Sequence, residues 1–160
     1  MTMTSLVEMA RKNHKYSVRG RAGNDNTISY AVHKQSLKKE GSRQSLYRVC
    51  IRIGVNIWEE ARLRYGDPMD FQMDFTDGEG CIFRVPDTEG KAYPTFYKSG
   101  GTKTKNFAGA ITFNYVEGMP FIRSAEPLSN IEIETGKIFF EFTTKQMEVL
   151  TSTRLKGFFK

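Results

Sequence analysis

Alternation between apolar and polar residues is the dominant pattern along this chain. The segment 69–76 alternates strictly, and 27–33 and 46–53 alternate less regularly but closely enough to indicate strands. A period of two places one face of a strand against a core and the other in solvent. Shorter strand-like segments follow, with turn residues between them. The pattern predicts strands over 27–33, 46–53, 69–76, 81–85, 92–98, 107–116, 121–124, 131–134 and 137–142.

Two segments carry helix signals instead. Apolar residues recur at helical spacing near 56–65, after Asn56 as a helix start and before Gly66 as a stop. Thr143 and Gln146 have capping-box spacing and predict a C-terminal helix. The predicted fold is therefore mainly β (α+β), with an antiparallel sheet or barrel, a short helix near 56–65 and a C-terminal helix.

The length and composition fit one folded domain. The chain has 160 residues, of which 39% are hydrophobic and 26% are charged, values close to globular averages. Its beginning is basic and interrupted by glycines, as expected of a flexible arm. The predicted organisation is a basic N-terminal arm over 1–26 and a single β-rich domain over 27–160.

Membrane and secretory signals are missing from the pattern. No apolar run approaches the roughly 18 residues that a membrane span needs, and the first ten residues lack a signal-peptide pattern. The two cysteines, Cys50 and Cys81, lie in strand-like contexts, which favours buried thiols in a reducing compartment over a disulfide. These features predict a cytoplasmic protein that does not bind membranes.

Positive charge is concentrated in the first part of the chain. Residues 1–66 carry 13 Lys/Arg and 5 Asp/Glu, whereas 67–160 carry 11 and 13, and the whole chain is +6. A positive surface attracts phosphate through its long-range field and through counterion release. Nucleic acid is therefore the expected partner, with DNA favoured. An acidic protein partner, or a surface that only aids solubility, would show the same charge.

The segment 11–52 holds the densest basic region, with 11 Lys/Arg and 2 acidic residues. Within it, the strand predicted over 46–53 places two arginines on its polar side. We predict that nucleic acid is bound by Lys38, Lys39, Arg43, Arg48 and Arg52, with secondary basic contacts from Arg19, Arg21, Lys103 and Lys105.

The segment 47–86, which reads YRVCIRIGVNIWEEARLRYGDPMDFQMDFTDGEGCIFRVP, resembles the swapped-hairpin DNA-binding module of the AbrB and MraZ type. Such modules run strand, short helix, Gly-Asp turn, strand, tight turn, strand, and Gly66 and Asp67 stand where that turn would be. The resemblance implies a homodimer that interleaves hairpins into one barrel and regulates transcription. It also implies that Arg48 and Arg52 face DNA, with Arg43 just ahead of them.

Residue patterns for catalysis are weak. His14 and His33 are the two histidines, and neither has a spacing with Cys or paired carboxylates that indicates a metal site or a catalytic triad. Asp70, Asp74 and Asp77 fit a divalent-metal nuclease, but a solvated strand face running into a turn is the favoured interpretation. We expect a protein that is not an enzyme and uses no cofactor or metal.

Three functional hypotheses follow. The first is a duplex-DNA-binding regulator. The second is a single-stranded nucleic-acid binder, in which exposed aromatic side chains stack on unpaired bases. The third is a small phage-type inhibitor or adaptor that docks its basic face on an acidic host protein. The aromatic residues considered for base stacking are Tyr16, Tyr30, Tyr47, Tyr93 and Phe96.

Overall fold

The computed structural model describes residues 25–35, 46–98 and 106–152. Nine strands and two helices lie in these ranges. The strands are β1 (Ile28–Lys34), β2 (Tyr47–Gly54), β3 (Met69–Met73), β4 (Glu79–Arg84), β5 (Tyr97–Lys98), β6 (Phe107–Asn114), β7 (Glu126–Pro127), β8 (Ser129–Glu134) and β9 (Lys137–Glu141). The helices are α1 (Val55–Glu60) and α2 (Thr144–Ser152).

The strands form two antiparallel sheets. The first has five strands in the order β5-β6-β2-β1-β7, and the second has four in the order β3-β4-β9-β8. The mainly β fold and the C-terminal helix are thus confirmed. The barrel alternative is wrong for the described strands, because each sheet keeps two edges and neither closes on itself. Strand β2 is the central strand of the larger sheet.

Alternate residues of the two sheets meet in a shared hydrophobic core. Tyr30 and Ile51 in the larger sheet and Phe140 in the smaller one are each at most 1% exposed, and all belong to one buried cluster. The Tyr30 hydroxyl donates to the Pro120 carbonyl at 2.8 Å, so this buried polar group is satisfied. The period-two pattern therefore identified the inward-facing side of these strands correctly.

The first helix is shorter than the predicted 56–65. Beyond α1, the chain leaves the helical conformation at Arg62, which has a left-handed φ of 54°. The Ala61 carbonyl accepts from the Gly136 N–H at 2.7 Å, and the Arg62 carbonyl accepts from the Arg84 guanidinium at 2.7 Å. These bonds, to Arg84 at the end of β4 and to Gly136 in the turn before β9, replace further helical bonds, so tertiary contacts override local helix propensity.

Two predicted strands are also largely replaced by irregular structure. Only Tyr97–Lys98 of the segment 92–98 pairs as a strand, and 121–124 forms none. Each segment lies beside or contains a proline, which cannot donate to a ladder. Instead, the Pro94 carbonyl accepts from the Met69 N–H at 3.0 Å. The remaining predicted strands are confirmed, with ends shifted by a few residues.

The C-terminal helix has the predicted capping box. The Gln146 N–H donates to Thr143 Oγ1 at 3.1 Å, and the Thr143 N–H donates to Gln146 Oε1 at 2.8 Å. Reciprocal bonds of this kind satisfy two donors at the start of a helix.

The predicted N-terminal arm over 1–26 lies outside the described residues except for Asp25 and Asn26. The boundary of the arm therefore stays a prediction.

Removal of this cap should destabilise the protein measurably. We expect Thr143→Ala to lower the free energy of unfolding by about 1 kcal/mol, because an N–H at the helix start loses its acceptor. Urea unfolding followed by circular dichroism measures the change. Thr144→Ala is the control, since Thr144 is exposed and follows the capping residue. An equal or larger loss for the control variant would contradict the capping role.

Candidate nucleic-acid interface

The outer face of the larger sheet brings the predicted arginines together. Residues of β2 that point away from the core include Arg48 and Arg52, four residues apart on the central strand. In the antiparallel register Arg48 lies opposite His33 of β1 and Asn114 of β6. Arg52 likewise lies beside Ala110 of β6, which itself pairs with Tyr97 of β5. The two arginines therefore share one face with a histidine and a tyrosine.

The outer face of the larger sheet carries long exposed side chains with short buried side chains between them. Arg48 and His33 are exposed and Arg52 is half-buried. Tyr97 is 45% exposed. Short side chains fill the positions between the long ones and are buried, so a partner would meet the long polar and aromatic groups. The buried short residues are Ser29, Ala31, Cys50 and Ala110.

Arg123 adds a third guanidinium from a loop. Its Cζ lies 5.4 Å from the ring centroid of Tyr47 and 5.7 Å from that of Phe121. Cation–π contacts of this length hold a guanidinium over an aromatic ring but do not neutralise its positive charge. Arg123 is also close enough to His33 to affect its ionisation. We define the basic face as His33, Arg48, Arg52 and Tyr97 on the outer side of the sheet, together with Arg123, which lies at its edge over two rings that pack with the core.

Burial and three nearby arginines influence the ionisation of His33. Burial lowers the pKa of His33 below its ordinary value, and the charges of Arg52, Arg48 and Arg123 lower it further. All three arginines thus act on one imidazole. His33 is mainly neutral at pH 7 in the free protein, and an anion bound nearby would favour its protonated form.

The arginines of the basic face are not neutralised by the described part of the chain. Within residues 25–35, 46–98 and 106–148, one ion pair is formed, between Arg84 Nε and Asp67 Oδ2 at 2.7 Å. Arg48, Arg52 and Arg123 make no ion pair with a carboxylate there. No carboxylate of the described ranges therefore neutralises their positive charge.

The smaller sheet presents the opposite charge on its outer face. Glu79 of β4 pairs in register with Glu141 of β9. The charge of Asp77 raises the pKa of Glu79 above its ordinary value, with further contributions from burial, Glu141 and Asp74. The sequence asymmetry between a basic first part and an acidic remainder thus becomes a difference between the two faces of the molecule.

The predicted site residues have different outcomes. Arg48 and Arg52 lie on one face, as predicted from the alternation. The other predicted contacts lie outside the described residues and stay predictions: Lys38, Lys39, Arg43, Arg19, Arg21, Lys103 and Lys105. The prediction missed three members of the basic face. His33 and Tyr97 join it through strand pairing, and Arg123 joins it from irregular structure that the sequence pattern assigned to a strand.

Two of the aromatic residues considered for base stacking are not accessible. Tyr30 is 0% exposed and Phe96 is 2% exposed, because Tyr30 points inward from β1 and the Phe96 ring packs against Trp58 at a centroid distance of 5.0 Å. Tyr47 and Tyr93 are half-buried, and Tyr16 lies outside the described residues. The expectation that Tyr30 or Phe96 stacks on bases is therefore wrong.

The aspartates considered for a nuclease form local turn contacts instead. Asp74 accepts from the Thr76 N–H at 2.7 Å, Asp77 accepts from the Glu79 N–H at 3.0 Å, and Asp70 accepts from the Phe71 N–H at 2.8 Å. Bonds of this type stabilise turns and strand ends. No group of three or more metal-ligating side chains is present in the described ranges.

An apolar groove of about 530 Å³ lies between the sheets, next to β3 and the end of β6. Its lining is mainly aromatic and aliphatic and contains no basic residue, so it lacks the groups that hold phosphate. The groove is therefore distinct in chemistry from the basic face. It is lined by Asp70, Phe71, Gln72, Met73, Phe75, Pro94, Phe113, Val116 and Met119.

Both cysteines are free thiols in different sheets. Cys50 is buried and Cys81 is half-buried, and burial raises the pKa of the Cys81 thiol.

In the part of the chain that the structure describes, no helix has the length and apolar character needed to cross a bilayer.

Comparison of the chain with protein-family models, curated proteins and solved structures found no match.

The fold and the basic face together describe an antiparallel two-sheet protein with one cationic outer face. The segment 47–86 has the strand, helix, strand, strand order of the swapped-hairpin module. Its first strand pairs with β1 and β6, whereas its hairpin pairs with β9 in the other sheet. The resemblance stays a prediction.

Proposed function

We propose that this chain is a non-enzymatic, cytoplasmic nucleic-acid-binding protein whose basic face contacts phosphate groups. The observation that carries the proposal is the cluster of Arg48, Arg52 and Arg123 around His33, with no ion pair to a described carboxylate. Guanidinium groups donate several hydrogen bonds in a planar arrangement that matches phosphate oxygens. Neutralisation of phosphates also releases counterions, which favours binding.

The charge difference between the two faces supports the same function. Acidic residues such as Glu79 and Glu141 lie together on the smaller sheet and would repel a polyanion. The basic face would attract it. A polyanion approaching the molecule is therefore oriented toward β2 before contact is made.

A homodimeric regulator of transcription that binds duplex DNA, as predicted from the sequence, is one form of this function. It would use Arg48 and Arg52 on β2, together with the basic residues that flank the strand. The phage-type adaptor remains the alternative, because an acidic protein surface would be attracted to the same arginines.

A binding titration tests the proposed function. Labelled duplex and single-stranded oligonucleotides are titrated with the full chain at about 50 mM and about 200 mM salt, and anisotropy is recorded. We expect binding that weakens with salt, with a slope of about −2 to −3 for three phosphate contacts. Absence of binding, or binding that does not respond to salt, would exclude the nucleic-acid proposal and favour an acidic protein partner.

Binding should also depend on pH through His33. The pKa of His33 is lowered in the free protein, mainly by burial and then by three arginines. Since a bound phosphate favours the imidazolium form, complex formation takes up a proton and strengthens as pH falls from about 8 to about 5.5. Anisotropy titrations over this range measure the trend. If His33→Gln retains the wild-type pH dependence, this role of His33 is wrong.

A further inference from the structure

Tyr97 is an exposed aromatic residue placed beside the arginines. It is 45% exposed on β5, and its register partner Ala110 is the register partner of Arg52. Since neighbouring strands lie about 4.8 Å apart, the backbones of Tyr97 and Arg52 are separated by about 10 Å. Only the short Ala110 side chain stands between them. A planar group could therefore lie on the Tyr97 ring while its attached phosphate reaches Arg52.

The Tyr97 hydroxyl forms a hydrogen bond with the side chain of Cys50, which lies between Arg48 and Arg52 on β2. Burial raises the pKa of this hydroxyl, the adjacent Cys50 raises it further, and Arg48 and Arg52 lower it. The net shift is upward, so the phenol is neutral at pH 7. A neutral aromatic ring near guanidinium groups has the character of a base-stacking platform.

Other exposed aromatic residues in the described ranges lack this combination. Tyr65 stacks on Trp58 with a centroid distance of 4.9 Å, and its hydroxyl donates to the Ala108 carbonyl at 2.6 Å. Phe75 lines the apolar groove rather than the basic face. Tyr97 is therefore the aromatic group best placed to meet a nucleobase next to the arginines.

The width of the sheet argues against reading a duplex from this face. The major groove of DNA admits a helix or a two-stranded ribbon. Here Arg48 lies on the middle strand of three paired strands, with Asn114 on one side and His33 on the other. At the level of Arg52 the sheet reaches its full five strands. Five paired strands are wider than the major groove, so this sheet does not fit there as a whole.

We propose that the basic face binds single-stranded nucleic acid, with an unpaired base stacked on Tyr97 and neighbouring phosphates held by Arg48 and Arg52. This inference rests on the proposed nucleic-acid-binding function and specifies its ligand. Bases of a single strand are free to leave the stack, which a duplex does not allow without unpairing. Stacking on an aromatic ring accepts any base, so binding should tolerate sequence changes.

The test compares ligands that differ in one feature each. Oligo-dT, oligo-dU, oligo-U, an abasic strand of equal length and a duplex are titrated at about 50 mM salt by anisotropy. We expect oligo-dT or oligo-U to bind at least about tenfold more tightly than the abasic strand and the duplex. The comparison of oligo-U with oligo-dU, which differ only in the 2′-hydroxyl, shows whether the protein prefers RNA or DNA.

Variants of Tyr97 separate stacking from structure. Tyr97→Ala should weaken oligo-dT binding by about tenfold and leave abasic-strand binding unchanged, whereas Tyr97→Phe, which keeps the ring, should bind within about twofold of wild type. Phe75→Ala is a control for an exposed aromatic off the basic face. Thermal unfolding of each variant establishes that the fold is retained.

The outcomes distinguish this inference from the proposed function. Equal binding of duplex and oligo-dT, or wild-type oligo-dT binding by Tyr97→Ala, overturns the single-strand inference, while salt-dependent binding would still support the broader function. Loss of all oligonucleotide binding in the wild-type chain overturns both. Preferential oligo-dT binding that falls in Tyr97→Ala but not in Tyr97→Phe or Phe75→Ala supports both.

Discussion

Replacing Arg48 and Arg52 together by alanine is expected to weaken oligonucleotide binding by about a hundredfold at low salt. Each charged hydrogen-bonding group contributes roughly tenfold when it meets phosphate in a partly buried setting. The two side chains share one face of β2 and have no carboxylate partner in the described residues, so their loss is not compensated locally. The salt slope should also fall by about 2. Anisotropy titration measures both quantities.

A charge-matched variant serves as the control for this prediction. Lys137→Ala combined with Lys145→Ala removes the same number of positive charges, from β9 of the smaller sheet and from α2. We expect binding within about threefold of wild type, because only the general field of the protein changes. If the control loses as much affinity as the arginine variant, net charge rather than the basic face explains binding.

Phe140→Ala is expected to lower the free energy of unfolding by about 3–5 kcal/mol. Phe140 is 1% exposed, and its ring lies 5.5 Å from the ring of Phe71 and 6.0 Å from that of Phe142. It also covers Gly80, where an added Cβ would come within 2.4 Å of the Phe140 ring. Truncation therefore leaves a cavity that neighbouring rings cannot readily fill. Urea unfolding measures the loss.

Phe75→Ala provides a matched control with the same chemical change. Phe75 is 51% exposed, so its removal should cost less than about 1.5 kcal/mol. The contrast between the two phenylalanines tests whether the core lies between the sheets. Similar costs at both positions would contradict the burial assigned to Phe140.

Strict alternation made much of the sheet structure predictable from sequence. The period of two is strict in β3 and clear in β1 and β2, where Ala31 and Cys50 interrupt the polar side, so the buried face could be assigned from the sequence. The Thr143 and Gln146 cap was predictable for a similar reason, since it depends on a spacing of three residues. Local patterns of this kind need no information about distant contacts.

Features that depend on distant contacts were not predictable in this way. The helix after Gly54 ends early because Ala61 and Arg62 bond to Gly136 and Arg84, which follow much later in the chain. The division of the strands into two open sheets likewise depends on pairing across the sequence. A single sequence contains all the residues that make these contacts, but it does not show which residues pair with one another.

The candidate site shows the same division. Arg48 and Arg52 were assigned to one face because alternate strand residues share a side. His33 and Tyr97 could be added only once the register of β1, β5 and β6 was known. Arg123 required the position of a loop. Alternation thus predicted the centre of the basic face, and tertiary structure supplied its edges.

Side-chain NMR of the arginines during an oligo-dT titration tests the central claim most directly. The Nε–Hε signals of Arg48, Arg52 and Arg123 should shift as phosphate binds. The Arg84 signal should stay in place, because Arg84 Nε is already paired with Asp67 at 2.7 Å. Unchanged signals from Arg48, Arg52 and Arg123 at saturating oligonucleotide would contradict the assignment of nucleic-acid binding to the basic face.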